Sequence, residues 1–153
     1  MQQPPDSASA PAPLRACALD RAIAAAVALG CLAVLTAAAW AEPSPDGHGT
    51  HRQFGLPPCN WVAAFDFPCF TCGMTTSFAH AADGDLPGSF LTQPMGAVLA
   101  LLTASAFWIA LHVAATGSRL GRLAGALIHP AVLTLAGLGL LAAWGYKVMT
   151  WGG

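Results

Sequence analysis

The sequence predicts an all-α membrane protein: three transmembrane helices, with a short helical, cysteine-containing interfacial segment between the first and second. Three observations carry this. The chain of 153 residues is 56% hydrophobic and only 8% charged, where a soluble domain is nearer a quarter charged. Three uninterrupted apolar stretches, Ala22–Trp40, Met95–Ala115 and Leu123–Tyr146, each approach the roughly 20 residues that cross a bilayer core as a helix. Arginines fall beside the predicted spans in a pattern that gives one consistent orientation. Arg15 and Arg21 precede the first span, and Arg119 and Arg122 separate the second from the third. By the positive-inside tendency both groups face the cytoplasm, and two crossings between them make the assignments agree.

Element by element, residues 1–18 are rich in Pro, Ala and Ser and read as a disordered cytoplasmic N-terminus. Residues 19–41 form transmembrane helix 1 or a signal sequence. The Ala39-Trp40-Ala41 run before Glu42 resembles a small-x-small cleavage site, and Ala-Leu-Gly-Cys31 is a poor lipobox. All three alternatives place residues 42–94 on the outer side as an extracytoplasmic Cys-rich segment. Residues 95–115 form helix 2, 116–122 a cytoplasmic loop and 123–147 helix 3. Pro94 suits a first helical turn, and Pro130 should kink helix 3. Trp40, Trp144, Tyr146 and Trp151 fall where an outer aromatic belt belongs. Lys147 also falls on the outer side, against the positive-inside trend. Gly137, Gly139 and Gly145 offer a small-residue surface for helix packing or an oligomer contact.

The connection at 42–94 holds the informative residues. Cys59, Cys69 and Cys72 lie in the run CNWVAAFDFPCFTCG, and Phe54, Phe65, Phe67, Phe70, Phe78, Phe90 and Trp61 surround them. So aromatic a segment is expected to press onto the membrane surface or the helix tops. A short helix is expected around Thr71–Asp83, ended by Gly84, with Asp85 capping a second turn through Leu86-Pro87. Asp66 reads as a turn residue.

The pattern Pro58-Cys59, Cys69, Cys72-Gly73, Gly84-Asp85-Leu86 and Pro94, a P-C-x9-C-x2-C-G run followed by G-D-L and a proline, resembles the bacterial membrane-protein family known as domain of unknown function 2752. The resemblance covers about residues 50–115. Phe70-Thr71 stand where the family has Pro-Gly, Thr76-Ser77 where it has Arg-Ala, and Gln93 where it has Asn. The resemblance implies a small integral membrane protein of the bacterial inner membrane, and no reaction.

Three chemistries suit the cysteines. A metal such as zinc or copper would take Cys59, Cys69 and Cys72, with His51, His48 or His80 as a fourth ligand and Met74 as a soft donor. Thiol–disulfide exchange would use Cys69 as the attacking thiol, if a helix starts there, with Cys72 resolving and Cys59 relaying. A structural disulfide from Cys59 to Cys69 or Cys72 would contribute roughly 3 kcal/mol. His112 and His129 are weaker candidates for haem or metal, or else neutral side chains bonded to backbone, Ser105 or Thr103. Cys17 and Cys31 are read as packing residues.

The sequence contains no nucleotide-binding or hydrolase motif, and a net charge of −1 sets nucleic acid aside as a partner. The expectation is a non-enzymatic component of a membrane assembly, whose outward Cys/His cluster binds a metal or is disulfide-locked. The alternatives are a membrane thiol–disulfide oxidoreductase and an accessory subunit of a transporter. The partners expected are the lipid bilayer and a membrane protein or a second copy of the chain.

Overall fold

The computed structural model describes residues 17–118 and 129–151. The disordered N-terminus expected over most of 1–18, the Arg119/Arg122 loop and the first turns of span three lie outside these residues. The described residues form six α-helices, one 3-10 helix and no strand. Three helices are long and apolar enough to cross a membrane: α1 (Ala18–Trp40), α5 (Pro94–Thr116) and α6 (Pro130–Met149). Between α1 and α5 lies a cap built from the 3-10 helix Thr50–Phe54 and the short helices α2 (Asn60–Phe65), α3 (Met74–Ala82) and α4 (Leu86–Thr92).

α1 starts on a capping box. Asp20 N–H donates to Cys17 Sγ at 3.5 Å, and Cys17 N–H donates to Asp20 Oδ2 at 3.1 Å. Cys17 is therefore a cap, a role its sequence position did not suggest. α1 and α5 are antiparallel and pack along their length through small residues. Ala24, Ala28 and Ala38 are buried on α1, and Ala97, Ala100 and Ala110 on α5. Small side chains let the backbones approach closely, which is how helices associate where lipid removes the hydrophobic drive. Near the start of α1, Arg21 Nε donates to Ala114 O at 2.9 Å and Nη2 to Ala115 O at 3.3 Å. A cation there satisfies carbonyls that the end of α5 leaves free.

α6 is attached differently. Most of its length is exposed, including Leu133, Leu135, Leu138 and Leu141, as suits a helix whose solvent is lipid. Of the glycines expected to pack α6, Gly139 lies beside α5, where a Cβ would meet Met95 Sδ at 3.9 Å, while among the described residues a side chain at Gly137 or Gly145 would meet nothing within 4 Å. Nor does Pro130 kink a continuous span. It stands in the first turn of α6, and His129 is the N-cap, accepting from Ala131 N–H at 3.3 Å. The helix is held by its C-terminal end. Trp144 Nε1 donates to Pro68 O at 3.1 Å, Tyr146 OH to Leu91 O at 2.8 Å, and Lys147 Nζ to Gly47 O at 3.0 Å and Thr92 O at 3.3 Å. Lys147 is buried, a structural group inserted into the cap and no loop charge at all.

The cap rests on α5 through a polar seam. Ser77 Oγ donates to Ser89 O or Gln93 O, at 2.9 and 3.1 Å, and Ser89 Oγ donates to Ser77 O at 2.7 Å. Thr50 and Thr76 hydroxyls meet at 2.8 Å and tie the 3-10 helix to α3. Gly96 makes the seam possible, since a Cβ there would come within 2.8 Å of Ser77 Cβ. The aromatic belt falls at this same end. Trp40 packs on Phe54, Phe67 and Phe70 on Trp144, and Trp151 on His48.

Candidate functional site

The chain enters the cysteine region from Gly55, at φ 74°, and runs extended through Pro57 and Pro58 to Cys59. α2 follows for barely two turns. Asp66 ends it in the left-handed conformation, φ 49° and ψ 38°, with its N–H on Val62 O, so it is a turn residue as expected. A turn then carries Cys69 to Cys72, whose N–H bonds Cys69 O at 3.0 Å. Gly73, at φ 84°, is the N-cap of α3. The Gly84-Asp85-Leu86 run behaves as read from the sequence. Gly84 has φ 82° just past α3, and Asp85 caps α4 by accepting Gly88 N–H at 2.9 Å. Its second oxygen meets His80 Nδ1 at 2.9 Å, which directs His80 away from the cysteines.

The three cysteines line one cleft of about 770 Å³, together with His48, His51 and Met74. Within it Cys59 and Cys69 are the close pair, with sulfurs 3.7 Å apart. Among the described residues this is the one thiol–thiol approach within hydrogen-bonding reach. Cys69 Sγ also lies 3.5 Å from Thr71 Oγ1. The five cysteines all carry free thiols. The helix following the CxxC begins at Met74, not near Cys69, so no helix N-terminus activates Cys69 as expected. Cys59 takes that position, as N-cap of α2. The Val62 N–H lowers its pKa most, without completing a cap bond; burial opposes this, and the Trp61 N–H and the Cys69 thiol assist. Cys72 is the opposite case. Burial, reinforced by neighbouring Cys69 and only partly offset by Lys147, pushes its thiol up to about 11.

Among the described residues, no three His, Cys, Asp or Glu side chains converge as metal ligands. His51 Nε2 is instead engaged with Pro57 O at 3.1 Å, and His48 Nδ1 with Asp46 O at 2.9 Å. His112 and His129 are both exposed, and no hydrogen bond joins them among the described residues. Ser105 and Thr103 bond carbonyls of their own helix, Leu101 O and Leu99 O, and neither serves His112.

Sequence reasoning missed two groups, one beside this site and one at the start of α5. Lys147 reaches the site from the far end of the chain, and a Cβ on Gly73 would meet Gly47 O at 2.7 Å and Lys147 Nζ at 3.3 Å. The one available signal was a lone lysine among apolar residues near a span end. Gln93 is fully buried, with neither side-chain amide atom hydrogen-bonded among the described residues.

No curated protein and no solved structure matches the chain. The model of the family described as "Protein of unknown function (DUF2752)" does match, over residues 59–107, from the first cysteine of the cleft through most of α5, and it is the family that the cysteine pattern resembles.

Proposed function

We propose that this is a small multi-pass membrane component whose cap carries a thiol–disulfide site on the outer side of the membrane, with Cys59 and Cys69 as the couple. The observation that carries the reading is the 3.7 Å approach of those two sulfurs. A S–S bond of about 2.05 Å needs only a modest side-chain movement from there. The Cys59 thiol is held below its ordinary value and burial pushes that of Cys72 up, so Cys72 stays a thiol. An oxidised pair would clamp α2, which buries none of its residues, onto the rest of the cap. The arginines flanking the predicted spans favour an outward cap, where disulfides persist. The burial of Ala24, Ala28 and Ala38 of α1 supports a first helix that is retained.

The test is a thiol count before and after mild oxidation with diamide, in the wild type and in single variants. Wild type and Cys72→Ser should each lose two thiols, and Cys59→Ser and Cys69→Ser none. Loss of two thiols in Cys59→Ser would mean the CxxC pair is the couple and would overturn the assignment.

A second reading, metal binding by the same pair, has one observation in its favour. Two thiolates on a tetrahedral zinc, each at about 2.3 Å, sit roughly 3.8 Å apart, close to the separation found. Further ligands would have to come from His51, after it leaves Pro57 O, or from Cys72. Zinc or copper analysis of the purified protein tests this. Near-stoichiometric metal that protects Cys59 and Cys69 from alkylation favours it, and metal-free protein with both thiols reactive counts against it.

A further inference from the structure

A dithiol that closes to a disulfide must hand two electrons to something, and the shape of the cleft bears on what. One wall is made by Val34, Ala37 and Ala38, in the last turns of α1. They belong to a helix of mean hydropathy 2.3 that is long enough to span a bilayer. Cys59 and Cys69 line the same cleft, as do Phe78 from α3 and Phe54 from the 3-10 helix. Arg52, an exposed cation, also lines it. The cleft thus brings residues of a membrane-spanning helix and the thiol pair to one cavity. Its roughly 770 Å³ lies within the range of pockets that hold drug-sized molecules. Water-soluble oxidants need no apolar approach of this kind.

We propose that the cleft admits a membrane quinone, with its tail along α1 at Val34–Ala38 and its ring against the Cys59–Cys69 pair, and that the quinone is the pair's electron acceptor. The inference rests on the thiol-couple reading above. In the step, the Cys59 thiolate adds to the quinone ring, forming a C–S bond. The Cys69 thiol, losing its proton, attacks the Cys59 sulfur. The S–S bond forms as the C–S bond breaks, and its electron pair leaves with the ring. Two thiols lose two protons and two electrons in all, and the quinone takes both of each to become the hydroquinone. Arg52, as a cation lining the same cleft, would favour the hydroquinone anion before its final protonation.

The experiment uses the full chain in mild detergent, pre-reduced and freed of reductant under anaerobic conditions. A fully substituted benzoquinone with one isoprenoid unit is added, and its ultraviolet absorbance is followed alongside the thiol count. One quinone should be reduced per protein, with loss of the Cys59 and Cys69 thiols. Ala37→Trp narrows the cleft at an exposed position of α1. It should slow the quinone reaction at least tenfold while leaving oxidation of the pair by diamide unchanged. Wild-type thiols that diamide oxidises but the quinone does not would overturn the inference and leave the thiol couple standing. An Ala37→Trp protein as fast as wild type, or a stable quinone adduct on any cysteine, would also overturn it. Failure of both oxidants to join Cys59 to Cys69 would sink the thiol couple itself.

Discussion

The helix pair α1–α5 and the junction of α6 with the cap solve the same problem in opposite ways. α1 and α5 meet along their length largely through alanine, and each contact is weak and non-directional. α6 offers glycines, yet among the described residues only Gly139 has a neighbour, Met95 Sδ at 3.9 Å from where its Cβ would stand. It is fixed by Trp144, Tyr146 and Lys147, all within its last two turns, donating to carbonyls of the cap. Close packing holds wherever two backbones run side by side. A polar tether holds at one place, and only where loops leave carbonyls without partners. The tether sits where the cap turns back on itself, so the cap organises the third helix as well as carrying the thiols.

The contrast can be broken on either side. The largest effect should come from Gly73→Ala, because φ 84° and a 2.7 Å approach to Gly47 O leave no room for a methyl group. Strain and overpacking together should cost about 4 kcal/mol, read as a lowered melting temperature in detergent. Lys147→Met keeps the length of the side chain but loses both carbonyl bonds. It should cost about 3 kcal/mol and open Cys72 to alkylation, which is the sharper readout. Gly96→Ala, where α5 passes under α3 of the cap, pushes a methyl into Ser77 and should cost about 2 kcal/mol. Gly137→Ala should be neutral, or stabilising by up to about 1 kcal/mol through helix propensity. A clear loss of stability there would reveal a partner seated on α6.

The unequal thiols add a pH-dependent prediction. Iodoacetamide reacts with thiolates, and Cys59 lies below its ordinary value while Cys72 is raised to about 11. As pH rises from 6 to 10, Cys59 should label before Cys72. Cys72 should stay largely unlabelled until the solution approaches its own raised value. The order should survive Cys69→Ser, since the Val62 N–H is the first cause of the Cys59 shift. Lys147→Met should raise the Cys72 value further, while giving the reagent better access.

Much of the fold was legible because single residues decide it. Apolar runs set the spans, Gly84 and Asp85 set the α3–α4 corner, and Pro94 opens α5. Cys59, Cys69 and Cys72 were legible as one module, and they do line one cleft. What stayed hidden depends on contacts distant in sequence. Lys147 reaches Gly47 across one hundred positions, and no local pattern marks such a pair. The emphasis within the cysteines also shifted, because a CxxC pattern draws attention to Cys69 and Cys72. The turn at Asp66 instead folds α2 back and brings Cys59 to Cys69. Pro130 misled for a related reason. Proline at a first helical turn and proline at a kink look alike in sequence, and the His129 cap that separates them is a matter of backbone geometry.

The most direct measurement is a peptide map of the oxidised protein without reduction. No Lys or Arg lies between Arg52 and Arg119, but Phe65 separates Cys59 from Cys69, and Phe70 separates Cys69 from Cys72. Cleavage after aromatic residues therefore resolves all three cysteines. The account predicts that the Cys59 peptide is recovered joined to the Cys69 peptide, with Cys72 alkylated on its own. A Cys69–Cys72 link as the main product would contradict it.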